Sequence, residues 1–478
     1  MSTSVFVGRQ EELQDLELLL KKRSASLIVI QGRRRIGKSR LAEEFGKKYA
    51  FYQFLGLPPT PKTTAQSERD VFMRQLSAAT QLPEVLADDW SKLFNLLAGS
   101  VKTGRVILLF DEISWMGSKD PDFLGKLKNA WDIHFKKNSE LILIICGSIS
   151  TWIEKNILSS TGFLGRISLT LSLSELPLKD CNRFFESIGS NVSSYEKFKL
   201  LAITGGIPRY LEEIRPNLSA EENIKRLCFS KKGALFKEFD NIFSDLFSKR
   251  SETYKKIVES LANGALEYND ICEHMDIPKG GRLSEYLEDL LKSGFISRDY
   301  TWHLKTGAES RLSHFRLSDN YVRFYLKYIK PNRGKIEHGH FENRSLMSLP
   351  GLESILGLQF ENLVLNNRKK IWTKLHIYPE EIISDNPFFQ RSTARTSGCQ
   401  IDYLIHTRFN TLYLCEIKFS KNQIRSEILD EMKQKIKHLK LPTGFSCRPV
   451  LIHVNGVQDQ VLESEFFAEI INFSDFLI

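Results

Sequence analysis

The chain has no apolar run long enough to cross a bilayer. Its longest, LILIIC and VILLF, fall far short of the roughly 20 residues a spanning helix needs. The opening MSTSVFVGRQEE lacks the apolar centre of a signal peptide, which predicts a cytoplasmic protein without a membrane partner. Seven cysteines include no Cys-x-x-Cys pair, so reduced thiols are expected, with neither a disulfide framework nor a zinc knuckle. Acidic surplus is missing too: the net charge is +9. From Gly351 onward Lys+Arg and Asp+Glu balance at 15 each, so the basic excess lies in the first 350 residues. That distribution suits a polyanionic partner, although Arg33, Arg34, Arg35 and Lys38 have a nearer use. With 478 residues, 42% of them hydrophobic, the chain has core-forming material for roughly three domains.

What is present is a phosphate cradle. Leu27–Arg40 reads as a strand, then Gly32-x-x-x-x-Gly37-Lys38-Ser39, then a helix. Two glycines let backbone N–H groups curl around phosphate oxygens, and the helix adds its positive N-terminus. Lys38 is expected on the β- and γ-phosphates and Ser39 on Mg²⁺. Arg35, Ile36 and Arg40, in and beside the loop, are expected among the contacts to ATP. Arg105–Glu112, RVILLFDE, supplies an apolar strand ending in two acids on a strand expected beside the P-loop strand. Asp111 would reach Mg²⁺ through water, and Glu112 would polarise the attacking water.

Strand and helix signals alternate through the first 175 residues, which predicts a doubly wound parallel sheet. Helical patterns fall around Ser67–Ala79, Trp90–Leu97 and Phe123–Phe135. The strand Leu141–Cys146 ends in Gly147-Ser148. Ser148 is either a γ-phosphate sensor or the N-cap of ISTWIEKNIL. Arg166, in Leu164-Gly165-Arg166, is either an arginine finger or a surface arginine.

The ordered set GRRRIGKS, LLFDE, ICGS, LGR and GGIPRYL resembles the archaeal and bacterial STAND-related, AAA+-like P-loop ATPases of the MNS clade. Phe6-Val7-Gly8-Arg9 is similar to the segment that lies beside the nucleotide base in AAA+ and STAND ATPases, which implies a role there for Arg9. The likeness, over about the first half of the chain, implies a nucleotide-gated switch with Pro208 near the adenine.

Residues 176–250 read as a helical lid. Between 251 and 330, three helical patterns (Tyr254–Leu261, Tyr268–Met275, Arg282–Leu291) precede two strand-like runs around a glycine-containing turn, the pattern of a winged helix. Its recognition helix would carry Glu285, Glu288 and Asp289 beside Arg282 and Lys292. Acids are poor company for phosphates, so packing and DNA contact both stay open. The polar, basic stretch 331–350 reads as a linker.

A second chemical site is expected in 351–478. SGCQIDYLI and TLYLCEIKFS read as strands about a turn at Phe409, where facing residues sum to 818. Asp402 then opposes Glu416, and Lys418 shares their face. Two carboxylates can hold Mg²⁺ or Mn²⁺ while the lysine offsets developing charge, and Glu361, on the helical pattern Ile355–Lys369, could complete the carboxylate set. The order helix, hairpin, helix, strand resembles the PD-(D/E)XK restriction-endonuclease-like fold, with Asp402…Glu416-x-Lys418 as its motif. The half as a whole is similar to the nuclease-like domain that many MNS-type ATPases carry. Gln400 stands where that family more often has glutamate.

The expectation is a multidomain α/β protein. It comprises a P-loop core (1–175), a helical lid, a winged helix and a nuclease-like domain, using ATP and Mg²⁺ and acting on nucleic acid, DNA ahead of RNA, with a homo-oligomer allowed. A signalling or scaffold ATPase whose nuclease fold only binds, and an ATP-sensing transcription regulator, are the alternatives.

Overall fold

The computed structural model describes residues 6–58, 60–148, 151–247, 251–278, 280–341, 344–392 and 397–478. The chain divides into two compact units, Met1–Leu176 with Asp240–Ser251, and Pro177–Phe239 with Glu252–Ile478.

The first unit is built on five parallel strands: β1 (Ser26–Gly32), β2 (Ala50–Leu55), β3 (Val106–Asp111), β4 (Ile142–Ser148) and β5 (Ile167–Leu173). Their order is β2-β3-β4-β1-β5, so β3 is next but one to β1 rather than beside it. The almost wholly apolar β4, buried on both faces, takes the place between them. Side-chain alternation divides the apolar residues between two cores. Leu27, Val29, Leu108, Phe110, Leu143 and Ile145 face one layer, with Phe72, Trp90, Phe94 and Phe123 from the helices. Ile28, Ile30, Ile107, Leu109, Ile142 and Ile144 face the other, with Leu16, Leu41 and Phe45. The helices over the first face, Ala65–Thr80, Trp90–Ser100 and Phe123–Ile133, lie where the sequence periodicity puts them. A reciprocal Thr64–Ser67 capping box starts the first of these.

In the second unit, helices Leu178–Ser187, Ser194–Thr204 and Ala220–Cys228 come first. Three helices follow, Ser251–Ser260, Tyr268–Met275 and Gly281–Lys292, and then an antiparallel hairpin of β6 (Ile296–Trp302) and β7 (Glu309–Leu317). Residues 331–350, polar in sequence, nonetheless bury Ile336, Phe341, Leu346 and Leu349, and Phe341 stacks on Phe229 at 4.9 Å. Helix Leu352–Asn366 leads into a mixed sheet of β8 (Ile382–Gln390), β9 (Cys399–Thr407), β10 (Thr411–Ile417), β11 (Ser446–His453) and β12 (Glu469–Asn472). Its order is β12-β11-β10-β9-β8, antiparallel across β8–β9–β10 and parallel across β10–β11–β12.

The hairpin and this sheet share one core: Trp302 and Leu304 pack with Phe388, Leu404, Leu414 and Met432. The Thr301 hydroxyl also donates to the Phe389 carbonyl at 3.1 Å. A buried polar layer joins the end of β7 and the short helix Asn320–Phe324 to helix Leu352–Asn366. In it the Gln359 amide donates to the Asn320 carbonyl at 2.6 Å, and the Asn362 amide donates to the Asn320 side chain at 2.9 Å. These hydrogen bonds form in only one register, which fixes how the helix sits, and they leave Gln359 Oε1 without a partner among the described residues.

Glu68 is a buried acid in the first unit's core. It is 2% exposed; one carboxylate oxygen accepts from the Leu57 N–H at 3.1 Å and the other has no partner among the described residues. Burial lifts its pKa to about 7, against the opposing Leu57 hydrogen bond. Because the folded-state value is raised, the stabilising contribution is complete below the ordinary glutamate range and is lost as pH rises through 7. Glu68→Gln is therefore expected to raise the thermal midpoint relative to wild type at pH 8 and to change it little at pH 4.5. Thermal melts at the two pH values check this.

Candidate functional site

The nucleotide cradle lies at the carboxyl ends of β1, β3 and β4. β1 ends at Gly32, where an added Cβ would meet the Ile36 side chain at 2.8 Å and the Leu173 carbonyl at 2.9 Å, so only glycine fits. Arg35 (φ 71°) and Gly37 (φ 93°) turn the loop through left-handed conformations. Helix Lys38–Gly46 follows. Lys38 is buried, and its ammonium donates to the Gly32 and Arg33 carbonyls at 3.1 and 3.2 Å, which folds it back along the loop. Ile36 is fully buried beneath the loop. Arg40 points outward and pairs with Glu43 at 3.6 Å.

The Ser39 hydroxyl donates to the Asp111 carboxylate at 2.5 Å, although β4 separates their strands, because helix Lys38–Gly46 packs across β4 and β3 as well as β1. Two oxygen donors that close suit a hard cation such as Mg²⁺. Glu112 follows in a left-handed conformation (φ 52°) that few non-glycine residues adopt. Its pKa is raised, chiefly by burial and further by Asp111, while Lys38, Arg34 and the Ser148 N–H oppose the rise. Ser148 thus touches the Glu112 carboxylate through its backbone. Ile149 and Ser150, at the start of the expected ISTWIEKNIL helix, lie outside the described residues.

Arg9 is buried at φ 60°. It pairs with Glu12 at 3.0 Å and donates to the Ile36 carbonyl at 3.3 Å and to the Ser174 carbonyl. It therefore ties the first helix to the P-loop and to the end of β5. Arg166 is held by Asp132 through two bonds of 3.0 and 2.8 Å. Pro208 opens the short helix Pro208–Leu211 in the second unit.

The second site lies in the C-terminal sheet. The pairs Leu412–His406, Tyr413–Ile405, Leu414–Leu404 and Cys415–Tyr403 all sum to 818, which carries Asp402 to Glu416. Asp402 accepts from the Ile417 N–H at 2.9 Å. Lys418 pairs with Glu416 at 3.0 Å and with Glu431 at 2.8 Å. Lys435, from helix Glu427–His438, pairs with Glu416 and lies 3.7 Å from Asp402. The Asp402 carboxyl is lifted to about 6 by burial and then by Glu416, with Lys435 opposing. Burial lifts Glu361 to about 7, Asp402 adds to the rise, and Arg316 and Arg323 oppose it. For Lys418, burial works to lower the pKa, but Glu416 and Glu431 outweigh it and hold the ammonium above its usual range.

The expected set of three metal-holding carboxylates reduces to a pair. Among the described residues no group of three His, Cys, Asp or Glu side chains stands close enough to hold a metal ion. Glu361 feels Asp402 electrostatically but also Arg316 of β7 and Arg323 of the short helix Asn320–Phe324. The pair itself, two oxygen-bearing groups around one ammonium, fits a hard cation.

Lys435 and Glu431 carry no local sequence signal, beyond the apolar stripe of their helix, that marks them out from its other charges. Ile428 and Met432 are the buried positions of their helix, and Lys435, seven residues after Ile428, continues that stripe toward the hairpin.

Residues 6–214 match a family model described as an ATPase domain predominantly from Archaea. The match spans the phosphate loop and the two acids Asp111 and Glu112. Over 361 residues the chain is 28% identical to the uncharacterized protein MJECL04 of Methanocaldococcus jannaschii, covering 75% of this chain and 76% of that one. The Walker-type ATPase PABY2304 of Pyrococcus abyssi superposes with a TM-score of 0.50 at 18% identity, over 67% of this chain and 96% of that one, a likeness of fold. The ORC2 protein of Aeropyrum pernix superposes more loosely, with a TM-score of 0.43 at 13% identity, over 71% of this chain and 98% of that one. No helix among the described residues is long and apolar enough to cross a membrane.

Lys38 is the buried cation of the phosphate loop, so Lys38→Ala is expected to weaken ATP binding by about 10- to 100-fold, the worth of a lost charge-assisted contact. Equilibrium binding of a fluorescent ATP analogue measures it.

Proposed function

We propose that the chain binds and hydrolyses MgATP and that this reaction governs a metal-dependent phosphodiesterase site in its C-terminal sheet, acting on nucleic acid. The observation that carries the first part is the 2.5 Å approach of Ser39 to Asp111, with Lys38 and Glu112 beside it. Lys38 would exchange its loop carbonyls for the β- and γ-phosphate oxygens, and Ser39 and Asp111 would hold Mg²⁺, which would supply charge neutralisation. Glu112 accepts a proton from the attacking water. A carboxylate raised by burial is the stronger base while it stays ionised. Arg9 positions the P-loop from behind. The Asp132 pair holds Arg166 until a change in that region releases it, so an arginine-finger role requires the ion pair to break.

The C-terminal reading rests on Asp402, Glu416 and Lys418 converging on one face, as the hairpin register requires, and on the likeness of that motif to PD-(D/E)XK nucleases. Asp402 and Glu416 would hold Mg²⁺ or Mn²⁺, and Lys418 would offset the charge that develops on the phosphate. DNA is the expected polymer on a winged-helix reading of residues 251–330. The helix Gly281–Lys292 is not the base reader on that reading, because its outward residues Glu285 and Glu288 repel phosphate.

One observation favours a second reading, a nuclease-shaped binding module on a scaffold ATPase. Both Glu416 oxygens are already engaged by ammonium groups, which satisfies the site without a metal.

Two measurements test the proposal. Glu112→Gln is expected to bind ATP within a few-fold of wild type while hydrolysis falls by about 100-fold or more, the worth of a general base. Hydrolysis at the wild-type rate would remove Glu112 from the chemistry. Cleavage of labelled single- and double-stranded DNA is expected with Mg²⁺ or Mn²⁺, to be absent in EDTA, and to be lost in Asp402→Asn and Lys418→Ala. Binding without cleavage in every condition would establish the second reading.

A further inference from the structure

Lys435 is the residue of the C-terminal site that neither the hairpin nor the motif explains. Its ammonium ion-pairs with Glu416, which is 3% exposed, and stands 3.7 Å from Asp402. It comes from a separate helix, Glu427–His438, anchored by buried Ile428 and Met432, so its reach into the hairpin is set by packing rather than by chance surface contact. Lys418 approaches the same Glu416 from the other oxygen and is itself shared with exposed Glu431. Buried Glu416 and Asp402, which is 15% exposed, both approach the one Lys435 ammonium, and two such carboxylates repel each other unless a cation lies between them. Lys435 supplies that cation from within the chain.

We propose that Lys435 is a built-in counter-ion that occupies the position of a divalent cation between Asp402 and Glu416 and exchanges with it. The proposal rests on reading this pair as a metal site. A metal ion entering between the carboxylates must displace the ammonium, because both cations need the same oxygens. Lys435 is 28% exposed, so its four-carbon stem can carry the charge outward to water or to a phosphate of bound nucleic acid. Metal loading is then weak in the free protein and is favoured once Lys435 has another anion to meet. The lysine acts as a lock on the reaction, and its own charge is reused on the substrate backbone.

The test uses the full chain without nucleotide, with Mn²⁺ as the probe, counting as site-specific only the uptake that Asp402→Asn abolishes. In EDTA, Lys435→Met is expected to lower the thermal midpoint, because the carboxylates lose their counter-ion. Mn²⁺ is expected to restore it, with an affinity about tenfold or more above wild type, since no internal cation competes. Lys435→Arg, which keeps the charge, is expected to retain the wild-type affinity and midpoint, which separates charge from packing. Adding a short DNA duplex is expected to tighten Mn²⁺ binding in wild type and leave it unchanged in Lys435→Met. Equal Mn²⁺ affinity in wild type and Lys435→Met would overturn the exchange while leaving the metal site in place. No site-specific uptake by any of the proteins, wild type included, would overturn the metal reading and the exchange with it.

Discussion

Paired carboxylates on the inner strands of a sheet must be given a cation, and that constraint organises both halves of this chain. Asp111 ends β3 and Glu112 follows it, where the parallel strands bring Lys38 and Ser39 to them. Asp402 and Glu416 sit across a hairpin, where Lys418 and Lys435 come to them. In each case burial makes the negative charge costly and therefore worth neutralising, and it lifts Glu112 and Asp402 above the ordinary range. The two solutions differ in kind. At the P-loop the ammonium rests on backbone carbonyls, poised to be drawn off by phosphate. In the C-terminal sheet Lys435 lies on the carboxylates themselves, so any divalent ion must compete for them.

How the supporting structure imposes this geometry is clearest in the packing. The parallel sheet buries alternate residues of each central strand on opposite faces, so the strand ends cannot shift without moving both cores. In the second unit, the Asn320–Gln359–Asn362 layer and the shared core under Trp302 bind the hairpin, helix Leu352–Asn366 and the C-terminal sheet together. A carboxylate of that helix, Glu361, consequently answers to Arg316 and Arg323 as well as to Asp402.

Much of this was legible in the residues. The phosphate loop, the acid-ended strand and the 818 register each follow from a local rule of spacing or alternation, and the observed strands and pairs obey those rules. The strand order was not legible, because LILIIC and LIVI carry the same apolar signal and nothing local says which neighbours which. β8 was hidden by Asp385-Asn386-Pro387, which breaks alternation and coincides with a shift of register against β9. Lys435 was hidden in a helix crowded with lysines, where only the Ile428–Met432 stripe distinguishes the one that faces inward. The burial of Phe341 and Leu346 in a stretch that reads as a polar connector was equally invisible, since it depends on partners such as Phe229 far away in sequence.

The central claim, that the nucleotide site governs chemistry in the C-terminal sheet, is tested most directly by one rate. That rate is metal-dependent DNA cleavage by the full chain with ATP, with ADP and without nucleotide, at fixed Mg²⁺. The account predicts a rate that changes several-fold between the ATP and ADP states and loses that dependence in Lys38→Ala. Identical cleavage rates in all three nucleotide conditions would contradict it.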